Sequence, residues 1–588
     1  MTITLPTLRC AALAAGLFLF GVGAHGAAAE SAAATRPATW ANPVDLPYRF
    51  RIAKQRPANV QNWREAADPT MVFFQGEYWL FASKSGGYWH TRDLRQWEFV
   101  VPTGLPIEDY APTVVVIDGK LHWTAIAEGN RPQQLFRTDD PAKGVWTPVS
   151  TLKAQGNYGD PALFVDDDGR VFMYYGLSNN AKFSVTELDP KNGFAALRTE
   201  TMPASRAPAE RGWENQGDNN ERATPPWLEG AWANKHNGKY YVQYAGPGTE
   251  FKTYGDGVLV GDNPMGPFRY APYSPFSFKP TGFVAGAGHG STFAGADGKW
   301  WHIATMTISM RDIFERRLGL FPTRFEPDGQ LVTDTYLADY PRYLGGDRGL
   351  VGWMLLSYDK PVTASSTLDG HEPAQAADED IRTWWSAKTG DAGEWLQMDL
   401  GGVKHIEAVQ MNFADEGVTT FAPMTDTKYG YVLEASDDGK TWKAIVDRRT
   451  AMRDAVNDYA QLDEPVMARH VRITNTHTPA GGKFSLSGLR VFGHGMGVFP
   501  GQVTSVKATR HGDDPRRALV EWPAAAGADF YVVRYGIAPD KLFNSYQVYQ
   551  ATQLNLGSLN RGTPYWFAVD AVNENGIRMG TATANIAP

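Results

Sequence analysis

Cysteine is nearly absent: Cys10 is the only one in 588 residues. No disulfide within the chain can contribute to its stability. A basic excess is also missing, since 56 Lys and Arg stand against 64 Asp and Glu, for a net charge of −8. A protein held to nucleic acid or to an anionic membrane by bulk charge would show the opposite balance. Long apolar runs are lacking too. The run Ala11 to Val22 is about a dozen residues, short of the roughly 20 that span a bilayer. With Arg9 before it and Ala27-Ala28-Ala29 after it, it reads as the core of a secretory signal. Residues 1–29 are therefore expected to be removed, leaving a secreted or periplasmic protein without a membrane span. Cys10 precedes the run, which argues against a lipoprotein anchor.

Aromatic residues, by contrast, are plentiful: 19 Trp, 25 Tyr and 29 Phe. A hydrophobic content of 43% excludes disorder over the whole chain. The 60 Gly and 38 Pro favour many short strands over long helices, and so an all-β fold. One pattern then recurs five times: a short signature, an apolar strand, a turn containing Gly, and an aromatic strand. The signatures are Asp68-Pro69-Thr70, Ala111-Pro112-Thr113, Asp160-Pro161-Ala162, Glu229-Gly230-Ala231 and His289-Gly290-Ser291. Their turns are Gln75-Gly76, Asp118-Gly119, Asp168-Gly169, Asn237-Gly238 and Asp297-Gly298. Asp-Gly and Asn-Gly between apolar runs are strong hairpin signals, and the spacing leaves room for about four strands per repeat. The expected architecture is a five-bladed β-propeller over residues 40–345. Asp166-Asp167-Asp168-Gly169 is expected to be a hairpin turn, because the remaining ligands of an EF-hand loop are missing.

Residues that open the innermost strands converge at one end of a propeller's channel. Here they are Asp68, Ala111, Asp160, Glu229 and His289. Three carboxylates and a histidine on one axis are costly unless they hold a cation or exchange protons. Ala67-Asp68-Pro69, Gly159-Asp160-Pro161-Ala162 and Leu228-Glu229-Gly230-Ala231-Trp232 resemble the three acidic blades of glycoside hydrolase family 43. The resemblance implies Asp68 as general base, Glu229 as general acid and Asp160 as the residue that orients Glu229 and raises its pKa. It implies inversion at the anomeric carbon and activity of the α-L-arabinofuranosidase or β-xylosidase kind on plant-type polysaccharide. It also implies a calcium ion in the propeller axis, with His289 reaching it through water. Trp89, Tyr110 and Trp232 are candidate sugar platforms, and Arg316 or Arg317 a candidate hydrogen-bonding partner for ring hydroxyls. A non-catalytic carbohydrate-binding or adhesion protein and a retaining fructan-type propeller hydrolase remain as alternatives.

Two further modules follow. Residues 357–494 resemble a discoidin (factor 5/8 type C) carbohydrate-binding-like domain, through Thr383-Trp384-Trp385-Ser386, Glu394-Trp395-Leu396-Gln397-Met398-Asp399-Leu400-Gly401 and Ala468-Arg469-His470-Val471-Arg472-Ile473. Residues 500–588 resemble a fibronectin type III domain, with Trp522 in an early core strand and Tyr565 at a tyrosine corner. All three acids precede residue 230, so both modules are expected to be separable from the chemistry.

Overall fold

A computed structural model describes residues 36–588, except 53–60, 108, 128, 130, 153–157 and 423. The expected signal peptide, 1–29, lies outside the described residues. Strands dominate, and among the described residues helix is confined to short 3₁₀ turns.

The hairpin dipeptides act as expected. Gln75-Gly76, Asp118-Gly119 and Asn237-Gly238 all have positive φ at both residues, as a type I′ turn requires. They close the ladders at Phe74–Glu77, Ile117–Lys120 and His236–Lys239. At Asp166–Arg170 the turn is wider, closed by Asp166 N–H donating to Arg170 O at 2.9 Å.

Antiparallel meanders of four strands follow in succession, with innermost strands Thr70–Phe74, Tyr110–Ile117, Ala162–Val165, Glu229–His236 and Ala285–Ala294. The last two meanders are joined by a single parallel pairing, Gly255 with Ala287. Each inner strand packs against the next, and the fifth returns to the first. Small side chains bridge the gaps between sheets. Thr70 Oγ1 donates to Pro112 O (2.7 Å), Leu163 N–H to Thr113 Oγ1 (2.9 Å) and Met71 N–H to Ser291 Oγ (3.1 Å). The last of these closes the ring.

Beyond the propeller, strands from Met354–Leu355 to Ser485–His494 form the second all-β domain. Residues 507–586 form a β-sandwich of a three-stranded and a five-stranded sheet. Trp522 is buried in its core. The Tyr565 hydroxyl accepts the Asn560 N–H at 3.0 Å, the bond that pins a tyrosine corner.

The domains are joined by buried polar contacts. Arg490 lies behind the propeller and makes paired 2.9 Å bonds to Glu379. It also donates to Asp339 O at 2.6 Å and covers the Phe283 ring. Asp339 in turn stands 3.3 Å from Lys279 Nζ, which donates to Gln547 of the sandwich at 3.2 Å. Arg64 reaches Asp415 (3.2 Å) and Asp454 across another seam. The sandwich docks through Gly212 N–H to Leu559 O (2.8 Å) and through Asn560 to Pro272 O and Ser274 O (3.0 and 2.9 Å). Buried charges paired across a boundary are destabilising when either side is removed.

Candidate active site

Four of the five expected axial positions share a backbone state that sequence reading missed. Asp68, Ala111, Asp160 and His289 all have φ between 44° and 54°, and in the fourth repeat the same place belongs to Gly230, at 69°. Left-handed backbone costs an L-residue roughly 1–2 kcal/mol, and such strain clusters at functional sites. Glu229 therefore precedes the equivalent position by one residue. A bulge between Glu229 and Trp232 accommodates the offset. Only glycine fits at 230, since an added Cβ would stand 2.7 Å from His289 Cγ.

The offset brings the acids together around His289. Its Nδ1 lies 3.2 Å from Asp68 Oδ1 and 3.6 Å from Asp160 Oδ2. Asp256, buried beneath, accepts the backbone N–H groups of His289 (2.8 Å) and Gly290 (3.0 Å) and fixes the turn. Asp68 also takes a 2.5 Å bond from the Ser83 hydroxyl and one of 3.1 Å from Arg316 Nη1. Asp160 accepts the Gly230 N–H at 3.0 Å. Glu229 receives the Tyr254 hydroxyl at one oxygen and the Trp227 indole N–H, at 2.8 Å, on the other.

The charges settle unequally. Burial pushes the Asp68 carboxyl up, but Arg316, His289 and the Ser83 hydroxyl outweigh it and hold it below the usual carboxylate range. Burial also pushes Asp160 up, opposed by His289 and reinforced by Glu229 and Asp68; here the upward push wins. Glu229 is raised as well, by burial first and then by the Asp68 charge, against His289 and Tyr254. For His289 burial favours the neutral ring, yet Asp68, Asp160 and Glu229 hold its pKa above the usual value. Asp160 and Glu229 are thus placed to hold a proton while Asp68 stays ionised. The expected cause, the like charge of Asp160, is corrected: burial comes first, and the acid whose charge adds to it is Asp68.

Several predicted residues fall elsewhere. Trp89 is fully buried and donates its indole N–H to Pro47 O at 3.2 Å. Trp232 is 9% exposed and donates to Thr292 O at 3.0 Å. Both are core residues, as large rings usually are, and offer no face to a sugar. Arg317 turns away, over the Tyr48 ring and onto Arg64 O. Arg316 is the arginine of the site. Tyr110 packs on Phe314, which lies under Arg316, at the border of the cluster. Instead, Trp227 is the exposed aromatic, 39% accessible while bonded to Glu229. Alternation along Trp227-Leu228-Glu229 could have revealed it, since i and i+2 share a side. Tyr254, Ser83 and Thr249, a 3.4 Å partner of Arg316, carry no local signal.

Asp160, Glu229 and His289 have ligand atoms within 4.8 Å of one another and could hold a metal ion. Residues 61–331 match the model of glycosyl hydrolases family 43. This is a family 43 glycoside hydrolase domain. Residues 361–488 match the F5/8 type C domain. Over 153 residues the chain is 30% identical to a β-xylosidase of Xylanibacter ruminicola, which covers 22% of this chain and 45% of that protein. It is 27% identical over 242 residues to a β-D-galactofuranosidase of Aspergillus niger, covering 35% and 64%. A xylosidase/arabinosidase of Humicola insolens is 28% identical over 194 residues, covering 27% and 56%. The chain thus spans about half the length of the curated relatives it matches. Among solved structures, a family 43 protein of Bacillus licheniformis is 16% identical with a TM-score of 0.40, covering 77% of this chain and 98% of that one.

Proposed function

We propose that the family 43 domain hydrolyses glycosidic bonds with inversion, Asp68 acting as general base and Glu229 as general acid. The observation that carries this reading is the split between the acids: Asp68 is held ionised, while Asp160 and Glu229 are held up. Inverting hydrolysis needs one carboxylate to draw a proton from water and one carboxylic acid to protonate the leaving oxygen. Two environments that push carboxyl pKa values apart assign those roles. Arg316 and His289 keep Asp68 ready to accept the proton of the attacking water. Asp160 orients Gly230 and, through its share of the proton, keeps Glu229 an acid. Trp227, exposed and fixed on Glu229, supplies an apolar face beside the departing group.

The substrate class follows the relatives: a xylosidic, arabinofuranosidic or galactofuranosidic residue at the end of a plant-type polysaccharide side chain. Action outside the cytoplasm rests on residues 1–29. Calcium takes six to eight oxygen ligands. The axial group offers two carboxylates and an imidazole, and Tyr254 and Trp227 already engage both Glu229 oxygens. These residues do not make a calcium cage, and no step here runs through one.

A panel of nitrophenyl arabinofuranosides, xylosides and galactofuranosides tests the reading, with product anomers followed by NMR. Inverted product is expected. Retained configuration would remove the base role from Asp68 and favour a retaining hydrolase; no turnover on any of the glycosides would favour a binding protein.

A further inference from the structure

The second domain gathers another set of ligating side chains, far in sequence from the axial acids. His405 and Glu407 lie on the strand Trp395–Phe413, and His494 ends the neighbouring strand Ser485–His494. His405 pairs directly with His494 across the ladder. Directly paired residues present their side chains on the same face of a sheet. Glu407 is skipped in both ladders that its strand makes, the register shifting between Ile406 and Ala408. It is the extra residue of a β-bulge, a device that re-aims a side chain. The result is a convergence on one atom. His405 Nδ1 lies 3.0 Å and His494 Nε2 3.8 Å from the same Oε1 of Glu407. All three ligand atoms fall within 4.8 Å of one another.

An ion pair would need one imidazole, whereas two rings aimed at one carboxylate oxygen surround a point where a cation fits. Zinc bonds of about 2.0–2.1 Å to nitrogen and oxygen, arranged as a tetrahedron, put ligand atoms roughly 3.3 Å apart, within the spread seen here. Exposure grades across the site: the Glu407 side chain is 6% accessible, that of His405 36% and that of His494 48%. The carboxylate thus sits at the base and the imidazoles at an open mouth, which provides an entry path and room for a water in the fourth position. Two nitrogens among three donors disfavour calcium and magnesium and suit a first-row transition dication.

We propose that His405, Glu407 and His494 form a Zn²⁺ site of the second domain. The ion would tie the two strands together at the residue from which the chain leaves for the sandwich; Gly495 N–H, the next residue, already bonds Glu574 O there at 2.8 Å. The site is independent of the proposed hydrolysis.

The test uses the full chain, stripped with a chelator and titrated calorimetrically with Zn²⁺, with bound metal counted by mass spectrometry. One ion per chain is expected, and Co²⁺ in its place should show the intense ligand-field absorption of a tetrahedral site. His405→Ala and His494→Ala, both at accessible positions, should each weaken binding at least about 100-fold, more than loss of an outer-shell partner costs. Turnover of nitrophenyl glycosides should not change. Circular dichroism confirms that the variants fold. Failure to bind Zn²⁺ at micromolar concentrations would overturn the proposal. So would one ion retained in the double His variant, which would assign the metal to the axial acids.

Discussion

Around the propeller axis, three carboxylates share one arginine and one histidine; behind it, Arg490 meets Glu379 with both ends paired and Asp339 meets Lys279. Both regions bury charge, and they account for it in opposite ways. At the seam each buried acid faces its own base, at 2.9–3.3 Å. The axis has more acids than cations, so the surplus must be carried by protons. Matched pairs hold charge in place, and imbalance makes a proton mobile.

The comparison can be broken at its strongest point first. Asp68→Asn should cost roughly 10²–10⁴-fold in turnover, the range of general-base catalysis, with the circular dichroism spectrum unchanged. Near-wild-type kcat in a soluble variant would move the base elsewhere. Arg490→Met should act on stability instead. Stranding Glu379 beside Asp339 should cost about 3–5 kcal/mol, read as a lower midpoint in urea at constant slope. Truncation after about residue 350 removes the same partners together with Arg64's, so activity on small glycosides should fall along with activity on polymer. An active, stable propeller fragment would show the seams to be dispensable.

Asp160→Asn sharpens the contrast, because here removing a buried charge should not destabilise. The folded pKa values of Asp160 and Glu229 are raised. Their contribution to stability is therefore present below the unfolded value, about 4, and is lost as pH rises through the folded one. The variant should keep more of its stability than wild type on going from about pH 5 to pH 9, by thermal melts. Withdrawing the neighbouring charge also makes Glu229 a stronger acid, so the basic limb of kcat/KM against pH should move down. A basic limb left in place would mean that Asp160 does not share Glu229's proton. The smallest effect is expected at Ala111, left-handed without any chemical role. Ala111→Gly should stabilise by at most about 1–2 kcal/mol, less the burial of one methyl, with kcat unchanged.

Sequence alone located Asp68, Asp160 and Glu229 because a repeat makes equivalent positions visible, and a propeller turns equivalence into proximity. It placed Glu229 one residue off, since a bulge that absorbs an extra residue leaves no mark in the pattern. Trp89 and Trp232 were misassigned for a general reason: a tryptophan's burial depends on what packs over it, and composition does not encode that. The seams were illegible for the same reason. Arg64 and Arg490 look like any other arginine until the chain brings Asp415 or Glu379 to them from 351 or 111 positions away.

The closure of the ring has a consequence in time. Asp68 belongs to the first sheet, but Arg316, His289 and Thr305, which set its charge and hold its backbone N–H at 2.8 Å, all come from the last. During refolding, four sheets can assemble with Asp68 still facing water as an ordinary aspartate. Catalytic competence should then appear as a late event, lagging the far-ultraviolet signal of strand formation, with no graded activity from partly built rings.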